Sequence, residues 1–174
     1  VRFRDQDYSI TRKMVTFGSQ QIPVEDVRKM RFGIVGNRDA NGPALAFNMD
    51  LVSNDETRLS LAWTAYKDLE KQEELFKALQ EAAFNYLLPP IMQDLQSELD
   101  SGYLVKIGPA ICDKQGIRFN IEGWFTSKQI VCPWQRVKAS LENGRLVVSD
   151  PTERKARHEL PLASTDNAIA LYFL

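Results

Sequence analysis

The run KDLEKQEELFKALQEAAFNYLLPPIMQDLQSELDSG, residues 67–102, is the only long segment with a helical period. Leu75, Ala78, Leu79, Ala82 and Tyr86 recur at three- and four-residue steps, flanked by Phe76, Ala83 and Leu87. Glu70, Glu74, Lys77, Glu81 and Asn85 fall on the other side, which gives one apolar stripe and one solvated face. Asp68 suits the N-cap, and Glu70, Glu73 and Glu74 suit the positive end of the helix dipole. Glu73 and Lys77 can pair across one turn for about 0.3 kcal/mol. Pro89 and Pro90 interrupt the pattern, because proline lacks an N–H and clashes with the preceding turn. Pro90 can open a second helix with Ile91, Leu95 and Leu99 on its apolar side and Gly102 as its stop. A helix lying on a membrane surface carries Lys and Arg on its polar face, whereas this face is mostly Glu.

Outward from this helix the chain reads as short strands. Before it, Val1–Phe3, Tyr8–Ile10, Met14–Phe17, Gln20–Ile22 and Val27–Val35 are strand-like, with a loop expected over Asn37–Gly42. Leu45, Phe47, Met49 and Leu51 then alternate with polar or small residues. After a turn at Ser53–Asp55, Leu59, Leu61 and Trp63 do the same, which predicts a hairpin with one buried face. After the helix, Ala110–Cys112, Ile117–Ile121, Lys128–Cys132, Val137–Leu141 and Arg145–Ser149 repeat the style. Ala156, His158, Leu160 and Leu162 share a strand face, and Ser164 or Asp166 can cap a closing helix over Ala168–Leu174. The chain stops within that helical pattern, so a natural continuation is expected.

Composition bounds the rest. The 174 residues are 44% hydrophobic and 26% charged, an ordinary globular balance that can build a core. Net charge is −1, from 22 basic and 23 acidic residues, which argues against general nucleic-acid binding. No apolar run approaches the ~20 residues of a spanning helix. Cys112 and Cys132 sit in apolar strand context and read as buried free thiols of a cytoplasmic protein, with a cross-strand disulfide left open.

The two halves also share residues. Ser19-Gln20-Gln21-Ile22 matches Ser127-Lys128-Gln129-Ile130. Pro23 and Val27 then match Pro133 and Val137 after a two-residue insertion, and a duplication explains both matches. Gly116-Ile117, a short apolar strand, Pro133-Trp134 with Val137, a hairpin with a glycine turn and a closing helix together resemble the bacterial pleckstrin-homology-like (PH-like) domains. Ile10-Thr11, Gly18, Ile22 and Val27 resemble a more diverged copy. The resemblance implies an α+β protein of two PH-like units, residues 1–101 and 102–174. Each would be a bent antiparallel sheet or open barrel closed by a C-terminal helix. It implies a binding module, without catalysis or cofactor, that takes a protein partner in an adaptor, regulatory or toxin-neutralising role. The alternative it implies is recognition of anionic lipid headgroups or another phosphorylated ligand. Arg12, Lys13, Lys114 and Arg118 are the nearest equivalents of the basic residues such recognition needs.

Individual residues support little chemistry. His158, the single histidine, reads as a satisfied core residue, although the sequence leaves open a Cys–His pair with Cys112 or Cys132. Asn37, Asp39, Asn41 and Gly42 begin like a calcium loop, but Asn48 stands where the bidentate Glu belongs, so they read as a turn. Trp63 and Trp134 read as core. Trp124-Phe125 follows Gly123 in a loop-like stretch, and if exposed the pair marks a contact surface. Arg154-Lys155-Ala156-Arg157 is the densest basic run and reads as the solvated face of a strand.

Overall fold

The computed structural model describes residues 2–3, 6–39, 42–122, 127–153 and 157–174. Among these residues the fold is α+β, with antiparallel sheets and two α-helices, and no described sheet closes into a barrel. The chain divides into two compact units, Val1–Ile91 and Met92–Leu174. No helix of the described residues is long and apolar enough to cross a membrane.

The first unit opens with a sheet of β1 (Arg2–Phe3), β2 (Gln6–Ile10), β3 (Met14–Phe17) and β4 (Gln20–Pro23) in sequential order. A 3₁₀ turn, Val24–Asp26, leads to a second sheet of β5 (Val27–Asp39), β6 (Gly42–Ser53) and β7 (Arg58–Ala65). β5 and β6 stay paired out to Asp39 and Gly42, so most of the expected loop at Asn37 is strand. Period-two alternation works as expected in β7, where Leu59, Leu61, Trp63 and Ala65 are buried and their neighbours exposed.

Helix α1 (Leu69–Tyr86) packs on β2 and β6. Its buried line is Phe76, Leu79, Ala83 and Leu87, one residue round from the expected stripe, and Ala78 and Tyr86 are exposed. The aromatic contacts explain the rotation. Phe76 lies 5.4 Å from Phe47 and 5.7 Å from Trp63, and Phe84 lies 5.4 Å from Phe32. Large rings bury more apolar area than the alanines on the expected line, so they set which face turns inward. Asp68 precedes the helix in a left-handed conformation, but its side chain makes no capping hydrogen bond. Glu73 and Lys77 form the expected pair at 3.9 Å.

Helix α2 spans Leu88–Asp100, so the interruption falls at Leu87 and both prolines sit in the first turn, where an amide N–H would lack a partner anyway. Ile91, Leu95 and Leu99 are buried as expected. Gly102, at φ +85°, ends the helix. Its N–H donates to the Leu99 carbonyl and the Tyr103 N–H to the Glu98 carbonyl, both at 2.9 Å, a Schellman closure.

The second unit continues with β8 (Val105–Ile107), β9 (Ala110–Asp113), β10 (Gly116–Glu122) and β11 (Ser127–Pro133) in one sheet. β8 carries no clear sequence signal because it is only three residues long. A 3₁₀ turn, Trp134–Arg136, leads to β12 (Lys138–Glu142), β13 (Arg145–Ser149) and β14 (Arg157–Pro161). Leu141, expected on a buried face, is 49% exposed on the edge strand β12. The closing segment is a 3₁₀ helix, Ala168–Tyr172, in place of the expected α-helix. Ala168, Ile169, Ala170 and Leu171 are all buried there, packed against β12 and β13, and four successive buried residues leave no solvated helix face.

The internal repeat has a structural counterpart. Pro23 and Pro133 end the fourth strand of each half with φ, ψ of −58°, 141° and −60°, 142°. Each is followed by a three-residue 3₁₀ turn and then by Val27 or Val137. Met14 pairs with Pro23 and Gly116 with Pro133, so Val15, Phe17 and Ile22 correspond to Ile117, Phe119 and Cys132. The Ser-x-Gln-Ile segments share the fourth strand but sit two residues out of step. The extra residues lengthen the β10–β11 hairpin and leave the stretch from proline to valine equal in both halves.

Candidate functional site

In the second unit, the turn between β9 and β10 is built by Asp113. Its Oδ1 accepts the N–H groups of Gln115 at 2.7 Å and Gly116 at 3.1 Å, and its Oδ2 takes the Arg118 guanidinium. The 3₁₀ turn after β11 docks on the same point. Trp134 donates its backbone N–H to the Gln115 carbonyl at 3.3 Å and its indole Nε1–H to the Asp113 carbonyl at 2.8 Å. Two bonds to adjacent places hold the ring at a fixed angle. Trp134 is only half-buried, against the expectation of a core residue, because one side of the ring stands over a cleft of about 260 Å³.

Leu99, Leu174 and Trp134 form the apolar side of this cleft, and Gln96, Asp100, Asp113 and Lys114 its polar side. Gln96 donates to Asp100 at 3.0 Å, which fixes that carboxylate on the helix surface. The arrangement offers an aromatic face beside one ammonium and two carboxylates. None of the lining residues is a histidine, cysteine, serine or threonine, and the aromatic face beside charged groups suits contact with an amphipathic group.

A second pair of clefts occupies corresponding places in the two units, between the fourth strand, the 3₁₀ turn and the connection after β6 or β13. The first, of about 190 Å³, includes Ile22, Asp26, Ser53 and Asp55. The second, of about 320 Å³, includes Val131, Arg136, Asp150 and Glu153. Its carboxylate is nearly sealed: the Asp150 side chain is 1% exposed, with Arg136 3.2 Å away and the Thr152 N–H and hydroxyl on Oδ1. Those two Thr152 bonds, helped by Arg136, hold the Asp150 carboxyl below its ordinary range.

Of the basic residues named from the sequence, Arg12 and Lys13 are exposed on the β2–β3 turn of the first unit. Lys114 is exposed on the corresponding turn of the second, while Arg118 is tied to Asp113. Trp124 and Phe125 lie outside the described residues, as do Arg154, Lys155 and Ala156. Arg157 is exposed and paired with Glu142 and Glu159.

The cysteines and the histidine do not form a site. Cys112 and Cys132 are free and buried, and each is the cross-strand partner of Ile117 from opposite sides. One strand therefore separates them, about 9–10 Å of ladder spacing, too far for a disulfide. Burial, with Asp113 adding to it, pushes the Cys112 thiol up to about 12, which leaves no thiolate near neutral pH. His158 stacks flat on Phe119, with ring centroids 3.8 Å apart and planes 8° from parallel. Its Nε2 is buried without a hydrogen-bond partner, so the expected satisfied histidine is absent. Among the described residues no group of three or more His, Cys, Asp or Glu side chains could hold a metal ion.

Sequence reasoning missed Asp113, Arg136 and Asp150. The signal for Asp113 was present, since Asp three residues before Gly116 is the pattern of an Asp-initiated turn. Asp150 and Arg136 are brought together by a β-sheet register that no local pattern encodes. The chain matches no protein-family model, no curated protein and no solved structure.

Proposed function

We propose that the chain is a non-enzymatic binding protein of two tandem PH-like units that holds a protein partner, in an adaptor, regulatory or toxin-neutralising role. The observation that supports this reading is the strand order. Each half runs through four sequential strands, a proline-entered 3₁₀ turn, three sequential strands and a helical segment. Binding is favoured over catalysis because the Trp134 cleft offers an aromatic face, an ammonium and two carboxylates for contact, with no His, Cys, Ser or Thr among its lining residues. A protein partner is favoured over an anionic headgroup because Arg118 is already paired and Lys114 shares its cleft with Asp100 and Asp113. Trp124 and Phe125 are the proposed aromatic anchors, on the strength of the sequence.

The test sets capture of a partner from the native host against co-sedimentation with anionic liposomes at low salt. The reading expects the wild-type chain to capture a partner, Trp124→Ala to lose it at least tenfold, and neither to sediment. Strong sedimentation that salt abolishes, together with unchanged capture by Trp124→Ala, would establish the headgroup reading instead.

A further inference from the structure

A clear chemical difference between corresponding positions lies at His158, which is half-buried with its Nε2 sealed. In β7, Arg58-Leu59-Ser60-Leu61 has Leu51 opposite Leu59 and Met49 opposite Leu61. In β14, Arg157-His158-Glu159-Leu160 has Val148 opposite His158 and Leu146 opposite Leu160. His158 therefore stands where the first unit has Leu59, a side chain with no exposed surface. The position accepts an aliphatic residue in one copy and carries an imidazole in the other. The neighbourhood has changed with it. Tyr8, which meets Phe17 edge-on at 5.9 Å in the first unit, corresponds to Ala110 beside Phe119, and the His158 ring lies flat on Phe119.

We propose that His158 is a pH-sensitive joint between the two sheets of the second unit, closed when its ring is neutral and loosened when the ring is protonated. The geometry carries the argument. A neutral ring can keep its one proton on Nδ1 and leave the Nε2 lone pair against the interior. Protonation makes both nitrogens donors, and the buried Nε2–H then has no acceptor. Among the described residues no carboxylate faces it. On the facing sheet, the positions that share the register face of Phe119 are Ile117, Ile121, Ala110, Ile130, Lys128, whose charge is a cation, and the thiols Cys112 and Cys132, both held neutral by burial. From β13 come Leu146 and Val148. On its own strand, Arg157 and Glu159 point to the other face and pair with each other. The unit's buried carboxylates, Asp113 and Asp150, are committed to Arg118 and Arg136.

The sign follows. Burial lowers the folded-state pKa of His158 below its ordinary 6.5. The unfolded chain therefore takes up the proton first, and stability is complete above pH ~6.5 and declines as pH falls from there toward the lowered folded value. An opposing effect exists, because an imidazolium over an aromatic face is attracted to it. The experiment decides between them.

His158 is the only histidine in the chain, so its ring protons can be followed by NMR in this chain without assignment. The expected result is a titration midpoint below 6.5. Alongside it, the melting temperature of wild type should fall between pH 7.5 and 5 by about 2–4 °C more than that of His158→Leu, the first unit's own solution. His158→Gln, which keeps polarity without titrating, should follow His158→Leu and carries the comparison if the leucine variant does not fold. A midpoint at or above 6.5, or parallel pH dependence in wild type and either variant, overturns the proposal.

Discussion

The two units share a backbone plan and divide the chemistry between them. Both turn at a proline with nearly the same dihedrals, and both place a buried β-branched residue, Val15 or Ile117, across from the fourth strand. Yet of the five buried polar or charged residues described, only Ser53 is in the first unit; Asp113, Asp150, Thr165 and Asn167 are in the second. The first unit closes with an 18-residue helix, the second with a five-residue 3₁₀ turn. Buried polar groups need partners and add little net stability, whereas apolar burial adds it directly. The difference teaches that both units fix the same two turns with polar side chains, Thr11 and Ser53 in the first and Asp113 and Asp150 in the second, and that the second does so with buried carboxylates.

The largest expected effect probes the first unit's closing helix. Leu79 is 3% exposed on the face of α1 that packs on the first unit's sheets. Leu79→Ala should destabilise the first unit by roughly 2–5 kcal/mol in denaturant unfolding, as core truncations do. A loss under about 0.5 kcal/mol, the range of surface changes, would remove the helix from its structural role and break the contrast with the second unit.

A smaller effect tests the correspondence itself. Met14 and Gly116 occupy the same register position opposite Pro23 and Pro133. A Cβ on Gly116 would lie 2.1 Å from the Cys132 carbonyl oxygen, which is backbone and cannot swing aside. Gly116→Ala should therefore cost about 1–3 kcal/mol through displaced strands. Met14→Ala should cost less, because the first unit already carries a side chain there. Equal costs would mean that the strands diverge in spacing less than the glycine implies.

Much of this plan was legible in the sequence, and the failures have physical causes. Alternation located β6, β7 and β10 because each has one buried face, and the two prolines located the junction between sheets. The period of α1 is legible in the sequence but its buried face is not, because alanines and Phe76 count alike in a periodic pattern while the large ring decides which face turns inward. The closing segment was misread because four apolar residues in succession suit a buried 3₁₀ turn as well as a helix. At the site, Trp134 was recognised by type but placed in the core, since nothing local says that one side of its ring faces a cleft. Arg136 and Asp150 meet only through the register of β12 on β13, which is set by pairing at a distance.

The smallest expected effect sharpens the comparison at the junction. Val24 and Trp134 follow the two prolines, and each gives its N–H to a carbonyl in the preceding turn, at 3.0 Å to Lys13 and 3.3 Å to Gln115. The second unit has the longer backbone bond and adds an indole bond to Asp113. Trp134→Phe removes that bond while keeping an aromatic ring, and the half-buried site lets water reach part of the exposed carbonyl. The loss should be about 0.5–1.5 kcal/mol, the net worth of one ordinary hydrogen bond. Trp134→Val reproduces the first unit and also removes the apolar wall of the cleft. If the indole bond is what fixes the ring over the cleft, the fluorescence of Trp134 should respond to Asp100→Asn, read in a Trp63→Phe/Trp124→Phe background where Trp134 is the only indole left. Stability unchanged by Trp134→Phe would mean that the backbone bond alone holds the turn, as Val24 does, and that the two junctions are mechanically the same.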